Sequence, residues 1–302
     1  MQAPKLLKTI EEGIARDQGS AYRVLLGQVI PTLTDAYRGA DSPFRSHLGG
    51  SLIGRECPRE VWYGFRWATI KKFDGRILRL FNRGHLEEAR FIAILKAVGV
   101  TTWEHEESGE QYRISGVAGH FGGSLDSIVF GVPDMPTEYM LAEYKTHSSK
   151  SFAKLEKEGL IKAKFEHYVQ MNIYMGAKGL KFGLYLAVNK DNDELYAEII
   201  PFDVAVYQRY WQRAVDIITA DKPPARINES SSFFVCKMCD HRSVCHGKIL
   251  PAMNCRTCDW SFPSQFGNTL WLCKRDNTEL SKTAQEKGCD NWRVHMAISA
   301  TT

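Results

Sequence analysis

GGSLDSIVFGVPDMPTEYMLAEYKTH, residues 122–147, holds two strand-like apolar runs separated by a segment rich in glycine and proline. Strand residues project alternately to opposite faces, so Glu143 and Lys145 share one face while Ala142 and Tyr144 take the other. A carboxylate and an ammonium on a strand flanked by Met140 and Leu141 are costly unless they pair, bind a metal or meet a charged substrate. The turn residues between the runs allow an antiparallel hairpin, which would set Asp126 beside Glu143. Such a triple suits a hard cation: Asp126 and Glu143 hold Mg²⁺ or Mn²⁺, and Lys145 orients a water or steadies charge at a phosphate. Taken alone, the same residues also describe a surface salt bridge on an edge strand, so the decision rests on the rest of the chain.

With 302 residues, 44% hydrophobic and 25% charged, the chain has the balance of a soluble globular protein with a substantial core. The net charge of +4 neither demands nor excludes a nucleic-acid partner, so local clusters matter more. No apolar run is long enough to span a bilayer, and Glu11, Glu12 and Asp17 follow Leu6 and Leu7 too closely for a signal-peptide core. The expected location is cytoplasmic, with no membrane partner. Eight cysteines in such a chain are expected as reduced ligands rather than disulfides.

Residues 1–45 read as a helical lead-in, with Leu6, Ile10 and Ile14 at helical spacing and Pro31 as an interruption. Next, Cys57 stands alone in the first 235 residues among Arg55, Glu56, Pro58 and Arg59, a polar setting that suits a ligand whose partners come from elsewhere. The run Leu80–Leu95 predicts a helix opening near Gly84, with Leu86, Ala89, Ile92 and Ala93 inward. His85 and Glu88 are three apart on one face of it and can approach a common ion. Glycine-punctuated runs between Trp103 and Val132 and the run Tyr139–Lys145 predict strands. A lysine-rich stretch follows, with Lys150, Lys154, Lys157, Lys162 and Lys164, able to hold a phosphate backbone beside a metal. The helix expected over 165–177 turns Phe165, Val169 and Ile173 inward and sets Gln170 and Tyr174, four apart, on an adjacent stripe. Two strands over 181–188 and 194–200 and a helix over 204–220 complete this part.

Beyond Pro224, Cys236, Cys239 and Cys245 stand at C-x2-C-x5-C spacing. Zinc would take a fourth ligand from His241 or His246, whereas an iron–sulfur cluster asks for a fourth thiolate, and Cys57 is the unpaired one. Cys255, Cys258, Cys273 and Cys289 form a second set with four thiolates. It suits a small Zn²⁺ module around Trp260, Phe262, Trp271 and Trp292.

In this order the motifs Gly84-x3-Glu88, Asp126, Glu143-x-Lys145 and Gln170-x3-Tyr174, with Cys57 and the Cys236/Cys239/Cys245 triplet, resemble the RecB-like exonucleases of the PD-(D/E)XK superfamily. The likeness covers residues 45–247 and is nearest to the iron–sulfur branch, with the nucleases of CRISPR spacer acquisition and the AddB-type nucleases. It implies an α/β fold: a mixed β-sheet flanked by helices, a restriction-endonuclease-like core. It also implies Mg²⁺ or Mn²⁺ at Asp126 and Glu143, Lys145 placing the attacking water, Gln170 and Tyr174 in support, and a 4Fe–4S cluster clamping the nuclease domain, residues 46–247. Relatives carry a helix ligand four after a glycine; here that residue is Glu88, with His85 three earlier. The expected activity is that of a DNA exonuclease in recombination, repair or phage DNA processing, with a recombination or replication protein as possible partner. Residues 248–302 form a separate zinc-binding module with no counterpart in the family core. The alternative is an inactive nucleic-acid-binding adaptor stapled by zinc.

Overall fold

The structure, a computed structural model, describes residues 1–33, 44–70, 72–247 and 249–299. It divides into two units, each assembled from discontinuous segments: Met1–Ala40, Phe73–Ile114 and Ser124–Tyr207 in the first, and Asp41–Lys72, Ser115–Gly123 and Gln208–Thr302 in the second. Residues 46–72 and 208–302 fall in one unit. The end of the helical lead-in, residues 34–43, lies outside the described residues.

The first unit is built on α1 (Pro4–Arg16), α2 (Ser20–Val29), α4 (Gly75–Ala97), β2 (Thr101–Trp103), β5 (Ser127–Phe130), β6 (Met140–His147), α5 (Ser149–Ala163), α6 (Phe165–Lys178), β7 (Phe182–Asn189) and β8 (Leu195–Pro201). The fold is α/β, and its sheet is mixed, in the order β2-β5-β6-β7-β8. Only the central β6–β7 pair is parallel, with Glu143 opposite Tyr185 and Lys145 opposite Ala187. A parallel pair needs a crossover, and α5 and α6 provide it. One sheet face packs on the N-terminal helices and α4: Met140, Ala142, Tyr144, Leu184 and Leu186 share a core with Leu6, Ile10, Phe91 and Ile92. The start of α1 is fixed by Asp134, whose carboxylate accepts from the backbone amides of Lys5 and Leu6 at 3.1 and 2.7 Å. This charge at a helix N-terminus satisfies donors that have no intrahelical partner.

Helix α4 begins nine residues before the expected Gly84. Asp74 caps it by accepting from the Ile77 amide at 2.8 Å, and Gly84 lies in its interior. Helix α6 buries Val169 and Ile173 as expected, but Phe165, at its first turn, is exposed. It lies close to the sheet at Gly183, where a Cβ would stand 2.6 Å from the Met171 methyl. Helix α5 is broken at Gly159, whose φ of 73° lets the chain turn and the Leu160 amide donate to Glu198 at 2.9 Å.

The second unit contains β1 (Leu48–Gly49), α3 (Pro58–Phe65) and most of α7 (Val204–Thr219). The glycine-punctuated region gives β5 in the main sheet as well as β3 (Arg113–Gly116) and β4 (Phe121–Ser124), which form a small sheet with β1 in the order β1-β4-β3. Short helices α8 (Phe234–Lys237) and α9 (Arg242–His246) follow, then the antiparallel sheet of β9 (Ser261–Pro263), β10 (Trp271–Cys273) and β11 (Thr278–Leu280), with α10 (Lys282–Lys287) and α11 (Met296–Ser299). Of the four aromatics expected as a module core, Trp271 is fully buried while Trp260, Phe262 and Trp292 are partly exposed. The interior also holds two buried guanidiniums. Arg256 lies 3.8 Å from the Trp67 ring and 4.7 Å from Trp271, and donates to the carbonyls of Phe65 and Ser46 and to Gln285. Arg66 lies against Trp62 and Trp271 and donates to the Arg256 carbonyl. Burial pushes both well below the usual arginine range, Arg66 to about 10, so the stacked rings and carbonyls must offset a large desolvation cost.

Candidate active site

Strand alternation places Glu143, Lys145 and His147 on one face of β6, toward α6, and leaves Tyr144 on the other, stacked on Phe91 with ring centroids 5.2 Å apart. Glu143 is completely buried. Its Oε1 accepts from the Gln170 amide at 2.7 Å and from the Lys145 ammonium. Its Oε2 is buried with no hydrogen-bond partner. In the β5–β6 register Ser127 opposes Ala142, and continuing it by one residue sets Asp126 opposite Glu143. The Asp126 Oδ2 accepts from the Tyr144 amide at 2.8 Å, and the Tyr144 hydroxyl lies 2.6 Å from Ser127 Oγ, so backbone and ring together hold the strand end that presents the aspartate.

Burial, opposed by Lys145 and reinforced by Asp126, raises the Glu143 carboxyl to about 7. Burial pushes Lys145 down, but Glu143, Asp126 and Glu88 outweigh it and hold the ammonium above its usual value. Lys145 is therefore a cation at neutral pH. Glu143 titrates near neutrality because the Lys145 ammonium and the Gln170 hydrogen bond do not offset its desolvation.

Glu88 extends the same field from α4, acting on both Lys145 and Tyr144, while His85, one turn earlier, is exposed. Tyr174 is buried one turn beyond Gln170 on α6. Four groups join this face that were not singled out from sequence. The Tyr185 hydroxyl lies 2.8 Å from His147 Nε2 and 2.9 Å from His167 Nδ1, and His147 Nδ1 lies 2.9 Å from Ser151 Oγ. Burial, aided by nearby lysines, lowers His147 to about 4 and His167 to about 3, so both are neutral imidazoles. Spacing places His147 two beyond Lys145, but the β6–β7 register that delivers Tyr185 is not visible in the sequence.

Among the described residues no group of three or more His, Cys, Asp or Glu side chains is already arranged to hold a metal ion. The donor chemistry nevertheless fits a divalent cation. The buried, unpartnered Glu143 Oε2 has a lone pair to satisfy, and Asp126 supplies a second hard oxygen opposite it.

All eight cysteines are free. In the second unit Cys57, Cys236, Cys239 and Cys245 line one pocket with Arg59, Arg226, Arg242 and His246. His241, the other candidate fourth ligand, instead bonds Thr69 Oγ1 at 3.0 Å. Burial pushes the Cys239 thiol up to about 12, and Cys57 and Cys245 add to the shift. Arg59 Nη1 lies 3.9 Å from Cys245 Sγ, and its buried Nε has no hydrogen-bond partner. Cationic groups around four thiols suit an anionic thiolate cluster. Cys255, Cys258, Cys273 and Cys289 also act on one another: burial, then the other three, raises Cys255 to about 11.

No protein-family model and no curated protein matches the chain. Among solved structures, the crystal structure of SSO0001 aligns at 18% identity and a TM-score of 0.39, over 77% of this chain and 99% of that one. LHK-Exo in complex with dAMP aligns at 16% identity and a TM-score of 0.39, over 57% and 86%. The alkaline exonuclease LHK-Exo from Laribacter hongkongensis aligns at 15% and 0.37 over the same shares. No helix among the described residues is long and apolar enough to cross a membrane.

Proposed function

We propose that this protein is a metal-dependent deoxyribonuclease that hydrolyses DNA phosphodiester bonds, working from ends or on single strands. One observation carries the reading: a fully buried carboxylate, Glu143, with one oxygen clamped by Lys145 and Gln170 and the other unpartnered, opposite Asp126. A purely structural ion pair has no use for an unsatisfied buried oxygen, which costs about 1–3 kcal/mol. Mg²⁺ or Mn²⁺ would be held by Glu143 and Asp126, with Glu88 nearby, and when bound supplies Lewis-acid activation of water and neutralisation of charge at the phosphate.

The protein's own groups divide the remaining work. Lys145 keeps its proton and presents an ammonium where a phosphate oxygen or the attacking water would sit. Gln170 donates to Glu143 and fixes the carboxylate plane, leaving the second oxygen free to ligate. The Asp126 carboxylate is pinned by the Tyr144 amide, so little side-chain entropy is lost on binding.

In the second unit we assign Cys57, Cys236, Cys239 and Cys245 to a 4Fe–4S cluster and Cys255, Cys258, Cys273 and Cys289 to Zn²⁺, both as structural staples. The surrounding arginines and the mutual influence of the thiols support these assignments.

End-labelled single- and double-stranded DNA, incubated with Mg²⁺ or Mn²⁺, tests the function. The wild type should digest at least one form, and Glu143→Ala or Lys145→Ala should lower the rate on the order of 10²–10³-fold or more with the fold intact. Full activity in either purified variant would sink the reading.

A further inference from the structure

Two residues beyond Cys57, in the first turn of α3, Arg59 is a buried cation, 7% exposed. A guanidinium keeps its charge inside a protein, and a buried charge is costly unless it is paired and hydrogen-bonded. Among the described residues nothing meets that requirement. The Arg59 Nη1 lies 3.9 Å from Cys245 Sγ, the guanidinium carbon lies 5.9 Å from the centre of the Tyr63 ring, and the buried Nε–H has no hydrogen-bond partner. Glu60, the acidic residue lining the same pocket, is paired with Arg55 instead. By contrast, the buried guanidiniums of Arg66 and Arg256 donate to backbone carbonyls.

The surroundings of Arg59 identify the missing partner. It lines one pocket with Cys57, Cys236, Cys239 and Cys245. Of the three guanidiniums there, only Arg59 is buried: Arg226 is half-buried and donates to the Cys245 carbonyl at 2.6 and 3.2 Å and to Glu229 at 2.8 Å, and Arg242 is exposed. Four thiolates around an iron–sulfur cluster make a net negative group, and one-electron reduction adds a further negative charge. Hydrogen bonds to the sulfurs, net charge and solvent exposure set the potential at which that electron enters. A buried cation with a spare donor therefore favours the reduced state over the oxidised one, and solvent ions screen it little.

We infer that Arg59 is the charge-compensating residue of this cysteine site: it donates to the Cys245 thiolate and, through its buried charge, raises the reduction potential of the cluster held there. The inference rests on the assignment of a 4Fe–4S cluster to Cys57, Cys236, Cys239 and Cys245, and its test reads the metal rather than DNA cleavage. The full chain, purified without oxygen, is titrated with dithionite in the presence of redox mediators. The cluster gains one electron with no bond made or broken, and its visible absorption reports the reduced fraction while iron content is measured in parallel. Arg59→Met should keep its iron and lower the ratio of reduced to oxidised cluster at a fixed potential about 10-fold or more, a shift of about 59 mV to more negative potential for one electron. Arg59→Lys, which keeps the charge, should move the ratio less than half as far on a logarithmic scale. Arg242→Gln, at an exposed position, should move it less than about 2-fold because solvent screens that charge. Loss of iron from Arg59→Met but not from Arg59→Lys also supports the inference, since the charge is then what holds the anion. Full iron with an unchanged potential in Arg59→Met overturns it, as does an equal shift in Arg59→Lys or Arg242→Gln. Loss of iron from both Arg59 variants overturns it too and makes Arg59 a packing residue. A wild type holding zinc in place of iron refutes the cluster assignment and this inference with it, whereas an iron-loaded Arg59→Met at the wild-type potential refutes the inference alone.

Discussion

At the scale of single residues, Glu143 links proton and metal chemistry. Its folded pKa of about 7 lies above the ordinary 4.5, so the native state binds the proton more tightly than the unfolded chain. That contribution to stability is fully present below pH 4.5 and is lost as pH rises through about 7. Without metal, the wild type should therefore lose stability relative to Glu143→Gln between these values, a difference readable in thermal melts across pH. A cation competes for the same oxygens, so added Mg²⁺ should raise the melting temperature more at pH 8 than at pH 6, and an equal shift at both would remove Glu143 from the metal set. Gln170 acts on that carboxylate from α6, and Gln170→Ala should cost about 10–100-fold in metal affinity or activity, checked by calorimetry and initial rates. The proximity of Glu143, Lys145 and Gln170 was legible because strand alternation and motif order place them together. The His147–Tyr185–His167 network was not, because a parallel register fixed by a distant crossover leaves no local trace.

Among elements, α4 shows where local sequence signals compete. Gly84 and the apolar stripe from Leu86 suggested a start that the Asp74 cap overrides, so three turns of helix precede the residues that bury. Apolar periodicity reports burial, and the first part of α4, exposed at every position from Gly75 to Arg83 except Ile77, leaves no periodic signal. Asp74 caps this exposed first part of the helix by accepting from the Ile77 amide. Asp74→Ala should cost about 1 kcal/mol locally, seen as faster amide exchange over 77–83 with little change at 89–95. Equal exchange in variant and wild type would mean that this part is held by something other than its cap. The β6–β7 pair shows the converse case, where tertiary fit replaces propensity. Gly183 weakens a strand intrinsically, yet it is the position at which Met171 of α6 closes on the sheet. A Gly183→Val substitution forces α6 outward and should cost about 1–3 kcal/mol, measured by denaturant titration, with activity falling as Gln170 is displaced from Glu143.

For the whole molecule, the chain order hides a division of chemistry. The carboxylates, Lys145 and Gln170 all lie in the first unit, and all eight cysteines lie in the second. Composition and spacing indicated two cysteine sets, but not that Cys57 and the C-terminal strands belong to one unit, since its segments come from three separated parts of the sequence. The buried Arg66 and Arg256, each held by carbonyls from another segment of that unit, tie its separated segments together alongside its buried apolar residues. Metal would add to that closure only after the thiols lose their protons, which burial resists at Cys239 and Cys255. If the eight thiols act as two sets of four, the metal content of protein purified without oxygen should separate by variant. Cys57→Ser should lose iron and the visible absorption of a cluster while keeping about one zinc, and Cys258→Ser should lose zinc while keeping iron. Loss of both metals in both variants would show that the sets share ligands, and wild-type protein with zinc alone would reassign Cys57, Cys236, Cys239 and Cys245 to zinc.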